Sequence, residues 1–382
     1  MAEIFENFKG RTRGISRIDW YLFFSIIPIL CAGLVTMNSF MGNSSYFSHQ
    51  LIWILVAFTI FFTFSFVDFH FLRRTSVVAT LYSVGVLVLV ALFLVGSVSK
   101  GAQSWINVGL FSIQPSDPMK LVLIIVLAKY FSRRHVEIAQ FKHIIVSGAY
   151  AFIVFALVAL HPDFGSALTI FAIWFGMVMV SGISKKHLLL VILGGAVVFA
   201  GLWNFGLRPY QKARIMNFVH PLADIRGSGY NAYQAMVTVG SGGLLGKGLG
   251  YGTQSRLKFL PEYETDFIFA AFAEEWGFVG VIILLLLFAI ILFRIIKHSM
   301  RGESNFETLF CAGLAIFFVT HLIINIGMNI GLLPVTGIPV PFMSYGGSHL
   351  VTEFAGLGIM MGMARYGRPA HRDVMKNEFV GY

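Results

Sequence analysis

The 382-residue chain is 57% hydrophobic and only 12% charged, with 39 phenylalanines and a formal net charge of +10. Soluble domains carry about 25% charged residues, so this composition excludes a water-soluble globular protein and points to a chain that crosses a bilayer many times. Nor does the positive charge make it a nucleic-acid binder, because the Lys and Arg residues are dispersed along the margins of apolar runs rather than gathered on one element.

The chain opens with MAEIFENFKGRTRGISRIDW, in which Lys9, Arg11, Arg13 and Arg17 precede the first apolar run. That run is too long for the h-region of a cleavable signal, so it is expected to act as an uncleaved anchor. A spanning helix needs about 20 apolar residues. Ten candidate spans follow: 20–41, 48–67, 76–98, 117–131, 143–160, 166–182, 187–204, 266–295, 306–332 and 345–364. Cys31 and Cys311 fall inside such runs and read as small packing residues. The expected fold is an all-α polytopic membrane protein of about ten transmembrane helices and one domain. Its parts are a cytoplasmic segment 1–19, helices over 20–204, a large extracytoplasmic loop 205–265, helices over 266–364 and a cytoplasmic tail 365–382.

Sidedness follows from the basic residues of the short loops. Arg73 and Arg74, then Arg133, Arg134 and Lys142, then Lys185 and Lys186, then Lys297 and Arg301, and finally Arg365, Arg368, Arg372 and Lys376 fall in every second connection. The alternate short segments MGNSSYFSHQ, HPDFG and LLPVTGIPVPF carry no Lys or Arg. Both termini are therefore expected in the cytoplasm, with the unusual residues on the outer face.

The outer loop 205–265 carries Arg208, Lys212, Arg214, Arg226, Lys247, Arg256 and Lys258 against Asp224, Glu262 and Glu264. Such a cationic surface beside hydrocarbon suits anionic headgroups, since Arg forks onto phosphate oxygens; attraction to bulk membrane lipids explains the charge equally well. The stretch GSGGLLGKGLGYG (240–252) fails the P-loop spacing and contains no GxGxxG. It reads as a turning segment that either covers a substrate or serves as a hinge.

The approach to the eighth span, KFLPEYETDFIFAAFAEEWG (258–277), holds Glu262, Glu264, Asp266, Glu274 and Glu275, five of the chain's 18 acidic residues. A helix N-terminus favours a carboxylate by about 0.3–1 kcal/mol, which accounts for Asp266. Glu274 and Glu275 lie about 12 Å deeper at 1.5 Å per residue, where a charge costs at least about 2.5 kcal/mol. Asp266 is accordingly expected to do chemistry, while Glu274 and Glu275 are architectural and buried between helices. Lys120, His321, Asn325, Asn329 and Glu353 are the other polar residues inside spans that could partner them. The histidines show no zinc-site spacing and no nucleophile elbow occurs. An outer-face carboxylate with a cationic loop suits a reaction on a lipid-linked phosphate.

The blocks GAQSWINVGLFSIQPSDPMKL, HPDFGSALTIF, GSGGLLGKGLGYGTQSRLKFLPEYETDFIFAAFAEEWGFVG and NIGLLPVTGIPVPFMSYGGSHL strongly resemble the SEDS family, the shape, elongation, division and sporulation group. The resemblance covers roughly residues 20 to 365, and within the group it leans towards the elongation branch. It implies ten transmembrane helices and a peptidoglycan glycosyltransferase that polymerises lipid II on the outer side of the membrane. It implies that Asp266 is the catalytic carboxylate, and gives roles to Trp105, Gln114, Pro115, Lys120, Asp163, Gly165 and the run Ser344, Tyr345, Gly346 and Gly347. Arg214, Lys247, Arg256 and Lys258 are the loop cations expected to bind substrate, and a divalent cation, Mg or Mn, is a candidate additional counter-charge for the leaving diphosphate. A class B penicillin-binding protein is the implied partner, with the small-residue stretch CAGLAIF around Ala312 and Gly313 as its expected docking face. A lipid II flippase or a division-type homologue are the alternatives. The chain departs from the family pattern at Ser104, Asp117, His161 and His349.

Overall fold

The structure is a computed structural model that describes residues 18–39, 45–99, 102–108, 111–133, 141–206, 209–220, 224, 227, 229–257 and 259–366. Every one of the ten apolar runs is a helix. They are α1 (Trp20–Ser39), α2 (Ser45–Ser65), α3 (Thr75–Val95), α4 (Ser116–Ser132), α5 (Phe141–Leu160), α6 (Phe164–Val180) and α7 (Lys185–Gly201), then, after the long loop, α11 (Ile268–Arg301), α12 (Asn305–Asn329) and α13 (Gly347–Tyr366). Among the described residues α1, α2, α3, α5, α11 and α12 are long and apolar enough to cross a membrane unaided. The other four are shorter or more polar, and two of them show why that is tolerated. α4 and α13 are buried along most of their length, so their Asp117, Lys120, His349 and Glu353 face protein rather than lipid, as intramembrane charges must. At the opposite extreme, none of the described side chains of α7 is buried, and its leucines and valines form an apolar exterior.

The centre of the bundle is assembled by close helix contacts. α13 crosses α2 through Gly358 and Gly362, where an added Cβ would lie 2.8 Å from the Phe64 Cβ and 2.7 Å from the Phe64 carbonyl. This four-residue spacing of glycines is what lets two membrane helices touch backbone to backbone. α12 packs against α4, α6 and α11. Its Gly313 sits against Ile124 and Met177 inside the bundle, where a Cβ would come within 2.7 Å of Ile124. Gly313 is therefore closed to a partner helix, because it admits α4 and α6 of the same chain, while Ala312 beside it is half-buried.

One end of the bundle gathers the basic turns. Asp19 caps α1 through the Leu22 amide and takes Arg294 Nε at 2.6 Å and His298 Nε2 at 3.1 Å from α11. Arg73, in the turn between α2 and α3, meets Glu307 at 2.5 Å and Ser304 at 3.1 Å, at the start of α12. Burial pushes the Asp19 carboxyl up, but the hydrogen bonds from His298 and Arg294 outweigh it and hold its pKa at about 2.

At the other end, three short strands occupy the connection between α3 and α4, which sequence periodicity did not reveal. β1 (Ser97–Ser99), β2 (Ala102–Val108) and β3 (Phe111–Ile113) form an antiparallel sheet in the order β1-β2-β3, with Trp105 opposite Ser97 and Ile106 opposite Ile113. The long loop is also structured. It contains α8 (Pro209–Val219), α9 (Tyr230–Ser241) and the single turn α10 (Thr253–Arg256). α9 packs on α11 and α12, and Ala235, Leu260, Phe267 and Ala270 make a small apolar cluster of their own. That cluster anchors the stretch that carries Asp266.

Candidate active site

A cavity of about 440 Å³ opens at the end of the bundle opposite the basic turns. Asp266 lies on its wall, half-buried, in the turn that immediately precedes α11. The turn is held from three sides. Within it, Thr265 and Phe267 both donate their amides to the Glu262 carbonyl, at 3.2 Å each. From α12, the Asn325 amide nitrogen donates to the Asp266 carbonyl at 2.9 Å and to the Ile338 carbonyl at 2.7 Å, and Asn329 adds a second contact to Asp266 at 3.3 Å. From the segment before α13, Ser344 Oγ donates to the Thr265 carbonyl at 2.7 Å and the Tyr345 amide donates to the Glu264 carbonyl at 2.9 Å. Gly337 is in the left-handed region (φ 76), and a Cβ there would stand 3.3 Å from the Asp266 carboxylate. Glycine thus allows the backbone of the α12–α13 connection to approach the carboxylate closely.

Asp163 faces the same cavity from the start of α6. It caps that helix by accepting from the Ser166 amide at 3.0 Å, and its other oxygen accepts from Gln114 Nε2 at 2.7 Å. Its carboxylate is thereby committed to holding Gln114 and the helix end in place. Lys120 stands on the floor, 2% exposed, with its ammonium 3.0 Å from Asp117. Asp117 in turn accepts from Ser348 Oγ at 2.8 Å and lies 3.7 Å from His349 Nδ1. His349 Nε2 is 2.8 Å from Glu353, whose second oxygen accepts the Phe342 amide at 2.9 Å. This column pairs charges along α4 and along α13 and joins the two helices through Asp117, and stacked against it is the His321 ring, 4.6 Å from that of His349. Tyr345 offers its phenol at the rim; burial pushes that group up from its usual value, with Tyr46 adding to it, so it stays protonated as a donor.

Of the residues expected from sequence, Asp266, Lys120, Asp163, Trp105, Gln114, Arg214, Tyr345 and Gly346 share this cavity. Ser344 and Gly347 do not line it: Ser344 is a buried strut between Thr265 and Val340, and Gly347 makes room for the Trp53 ring. Lys247 is spent on Glu274 at 2.7 Å, and Arg256, though exposed, stands outside the cavity lining. Lys258 lies outside the described residues. Glu274 and Glu275 are buried and architectural, and Asn325 and Asn329 support Asp266 rather than the glutamates. Asp117, Ser348 and His349 belong to the cavity without having been singled out for it. Their signal was proximity: each sits within three residues of a residue that was. Among the described residues no group of three or more His, Cys, Asp and Glu converges on one point.

Fold and site together define an integral membrane protein whose bundle opens, at the end opposite the basic turns, onto a cavity built around a turn-borne aspartate. The chain belongs to the cell cycle protein family of FtsW, RodA and SpoVE, whose family model matches residues 15–368. It is 36% identical over 294 residues to the peptidoglycan glycosyltransferase MrdB of Escherichia coli, covering 77% of this chain and 79% of that one. To the stage V sporulation protein E of Bacillus subtilis it is 36% identical over 347 residues, 90% of this chain and 93% of the other. Among solved structures it resembles a chain of a peptidoglycan synthase complex described as coordinating polymerization and crosslinking, with a TM-score of 0.79, 29% identity, and 92% and 99% of the two chains covered. The rod shape determining protein RodA of Thermus thermophilus matches with a TM-score of 0.69 and 27% identity over 91% and 97% of the chains.

Proposed function

We propose that this chain is a peptidoglycan glycosyltransferase that polymerises lipid II on the outer side of the cytoplasmic membrane during cell elongation. The observation that carries the reading is the placement of Asp266: its turn is pinned by Asn325, Asn329 and Ser344 and its carboxylate stands on the cavity wall opposite Gly337. A sugar hydroxyl is a weak nucleophile at neutral pH. A carboxylate within reach takes its proton as the oxygen attacks the anomeric carbon of the donor sugar, an effect of about 10²–10⁴-fold. Fixing that base on two asparagines and a buried serine contributes orientation besides proton transfer. The bond to the diphosphate breaks as the new glycosidic bond forms, which inverts the anomeric centre. Arg214, brought to the cavity by α8, and Lys120, paired with Asp117, are the cavity cations that would face the departing diphosphate. The basic turns, all at the opposite end, favour an outward-facing cavity and cytoplasmic termini.

The likeness to a synthase complex supports a penicillin-binding transpeptidase as partner, and the likeness to MrdB and RodA supports the elongation branch over division. Purified protein in detergent, given lipid II, distinguishes enzyme from flippase: glycan ladders are expected, and their absence with folded protein and partner present contradicts the reading. Rescue of an elongation-depleted strain but not a division-depleted one is the expected outcome in cells.

A further inference from the structure

The glycine-rich stretch does not cover the cavity; it docks into a break in α11. Gly277 (φ 66, ψ −170) interrupts that helix between Ile268–Trp276 and Phe278–Arg301. Four backbone hydrogen bonds join the stretch to the break. The amides of Lys247 and Gly248 donate to the carbonyls of Glu274 and Glu275 at 2.9 and 3.1 Å, and the amides of Phe278 and Val279 donate to the carbonyls of Gly243 and Leu244 at 2.9 and 3.1 Å. The two backbones are so close that a Cβ on Gly277 would fall 2.1 Å from the Gly246 nitrogen. The carboxylates complete the joint. Glu274, fully buried, accepts from Lys247 Nζ at 2.7 Å, the Gln254 amide at 3.1 Å and Thr253 Oγ1 at 3.2 Å, and Glu275 accepts the Gly250 amide at 2.8 Å.

Leu244, Leu245, Leu249 and Tyr251 project outward from this joint, 71%, 81%, 49% and 69% exposed. They continue an exposed apolar strip on α11 that includes Phe278, Ile282, Leu286 and Phe293. Depth can be reckoned from Arg294, whose tie to Asp19 marks the basic margin. At 1.5 Å per residue Phe278 lies about 24 Å from Arg294, inside a hydrocarbon layer about 30 Å thick. Leu244, whose carbonyl accepts from the Val279 amide, and the adjoining Leu245 fall a few ångströms within its far edge. Irregular backbone survives at that depth only when its polar groups are satisfied by protein, which is what the two glutamates and the broken helix do.

We propose that residues 242–251 form a re-entrant hairpin whose Leu244, Leu245, Leu249 and Tyr251 are immersed in lipid acyl chains of the cavity-side leaflet, clasped to α11 by Lys247 and Glu274. The clasp fixes the half-helix Ile268–Trp276 that directly follows Asp266, so Lys247 and Glu274 are positioning residues for the site. This placement stands independently of which reaction the cavity performs.

The test uses the full chain, without any partner, in phospholipid nanodiscs. In a background with Cys31→Ala and Cys311→Ala, a nitroxide is attached at Leu245→Cys, with Leu286→Cys as a lipid reference and Arg256→Cys as an aqueous one. Power saturation is read with oxygen and with a soluble nickel chelate. The label at 245 is expected to follow 286, accessible to oxygen and shielded from nickel. Nickel access like that at 256, or shielding from both reagents, would overturn the proposal. In the same background Glu274→Gln is expected to raise the mobility of the label at 245; an unchanged spectrum would remove the clasp. Because these variants alter the chain, the unmodified protein is also photolabelled with a diazirine-bearing phospholipid. Adducts are expected within Leu244–Tyr251, and their absence while the 278–293 peptide is labelled would equally overturn the hairpin's immersion.

Discussion

Asn325→Leu is the sharpest probe of how the site is held. The side chain is fully buried, and its single amide nitrogen bonds the carbonyls of Asp266 and Ile338, thereby joining the turn of Asp266 to the segment that carries Gly337. Leucine fills nearly the same volume but donates nothing. Each buried carbonyl left without a partner costs about 1–3 kcal/mol. Asn329 keeps a 3.3 Å hold on Asp266, which puts that half of the loss at the low end and the total at about 2–4 kcal/mol. Freed from Ile338, the turn can drift relative to the opposite wall, and a displacement of about 1 Å at a reacting group costs on the order of 100-fold in rate. Thermal unfolding in detergent should therefore show a lowered midpoint, and polymer formation at equal folded protein should fall by about two orders of magnitude. A variant with the wild-type midpoint and wild-type rate would refute the claim that Asn325 positions Asp266.

Three other outcomes follow from the same geometry. Gly277→Ala places a Cβ against the Gly246 nitrogen and forces a residue with a side chain into a positive-φ conformation; strain of about 1–3 kcal/mol plus the displaced hairpin should destabilise the protein and expose 242–251 to limited proteolysis, and an undisturbed cleavage pattern would count against the joint. For Asp19, the folded-state pKa of about 2 lies below the ordinary carboxylate value of about 4, so its ion cluster stabilises the fold above pH 4 and loses that contribution as pH falls through about 2. Asp19→Asn should be less stable than wild type by about 2 kcal/mol at pH 7, with the difference closing between pH 4 and 2; a gap independent of pH would contradict the assignment. Finally, a membrane-impermeant thiol reagent applied to intact cells should reach Arg256→Cys and miss Lys186→Cys, and the reverse pattern would invert the proposed topology.

The helices were legible because hydrocarbon demands it: a span must be apolar along its length, and the basic connections recur at every second turn. The same rule hid β1–β3, since Ser97–Ile113 is short, mixed and free of the lipid constraint. At the site, Asp266, Asp163, Gln114 and Lys120 could be named because motif blocks carry them. What the motifs could not show is which polar residues face the cavity and which only build its walls. Ser344 and Gly347 lie in the same SYGG run as Tyr345 and Gly346, yet the two ends of the run turn to other neighbours while its middle lines the cavity. Lys247 looked like a substrate cation because its partner, Glu274, is 27 residues away and becomes adjacent only when α11 breaks at Gly277. The placement of Gly313 inside the bundle was equally invisible, since a small residue admits a neighbouring helix of the same chain as readily as a foreign one.

The central claim is that Asp266 is the base of a glycosyl transfer, and Asp266→Asn tests it most directly. The amide is nearly isosteric with the carboxylate, and the carbonyl that Asn325 and Asn329 hold belongs to the backbone, so the turn should keep its anchors and the variant should unfold at the wild-type temperature. Lipid II polymerisation by the purified variant, beside wild type, Glu262→Gln and Glu264→Gln at equal folded protein, is the measurement. The account predicts no detectable polymer from Asp266→Asn and appreciable polymer from both glutamine variants; a folded Asp266→Asn protein that still makes glycan strands would contradict it.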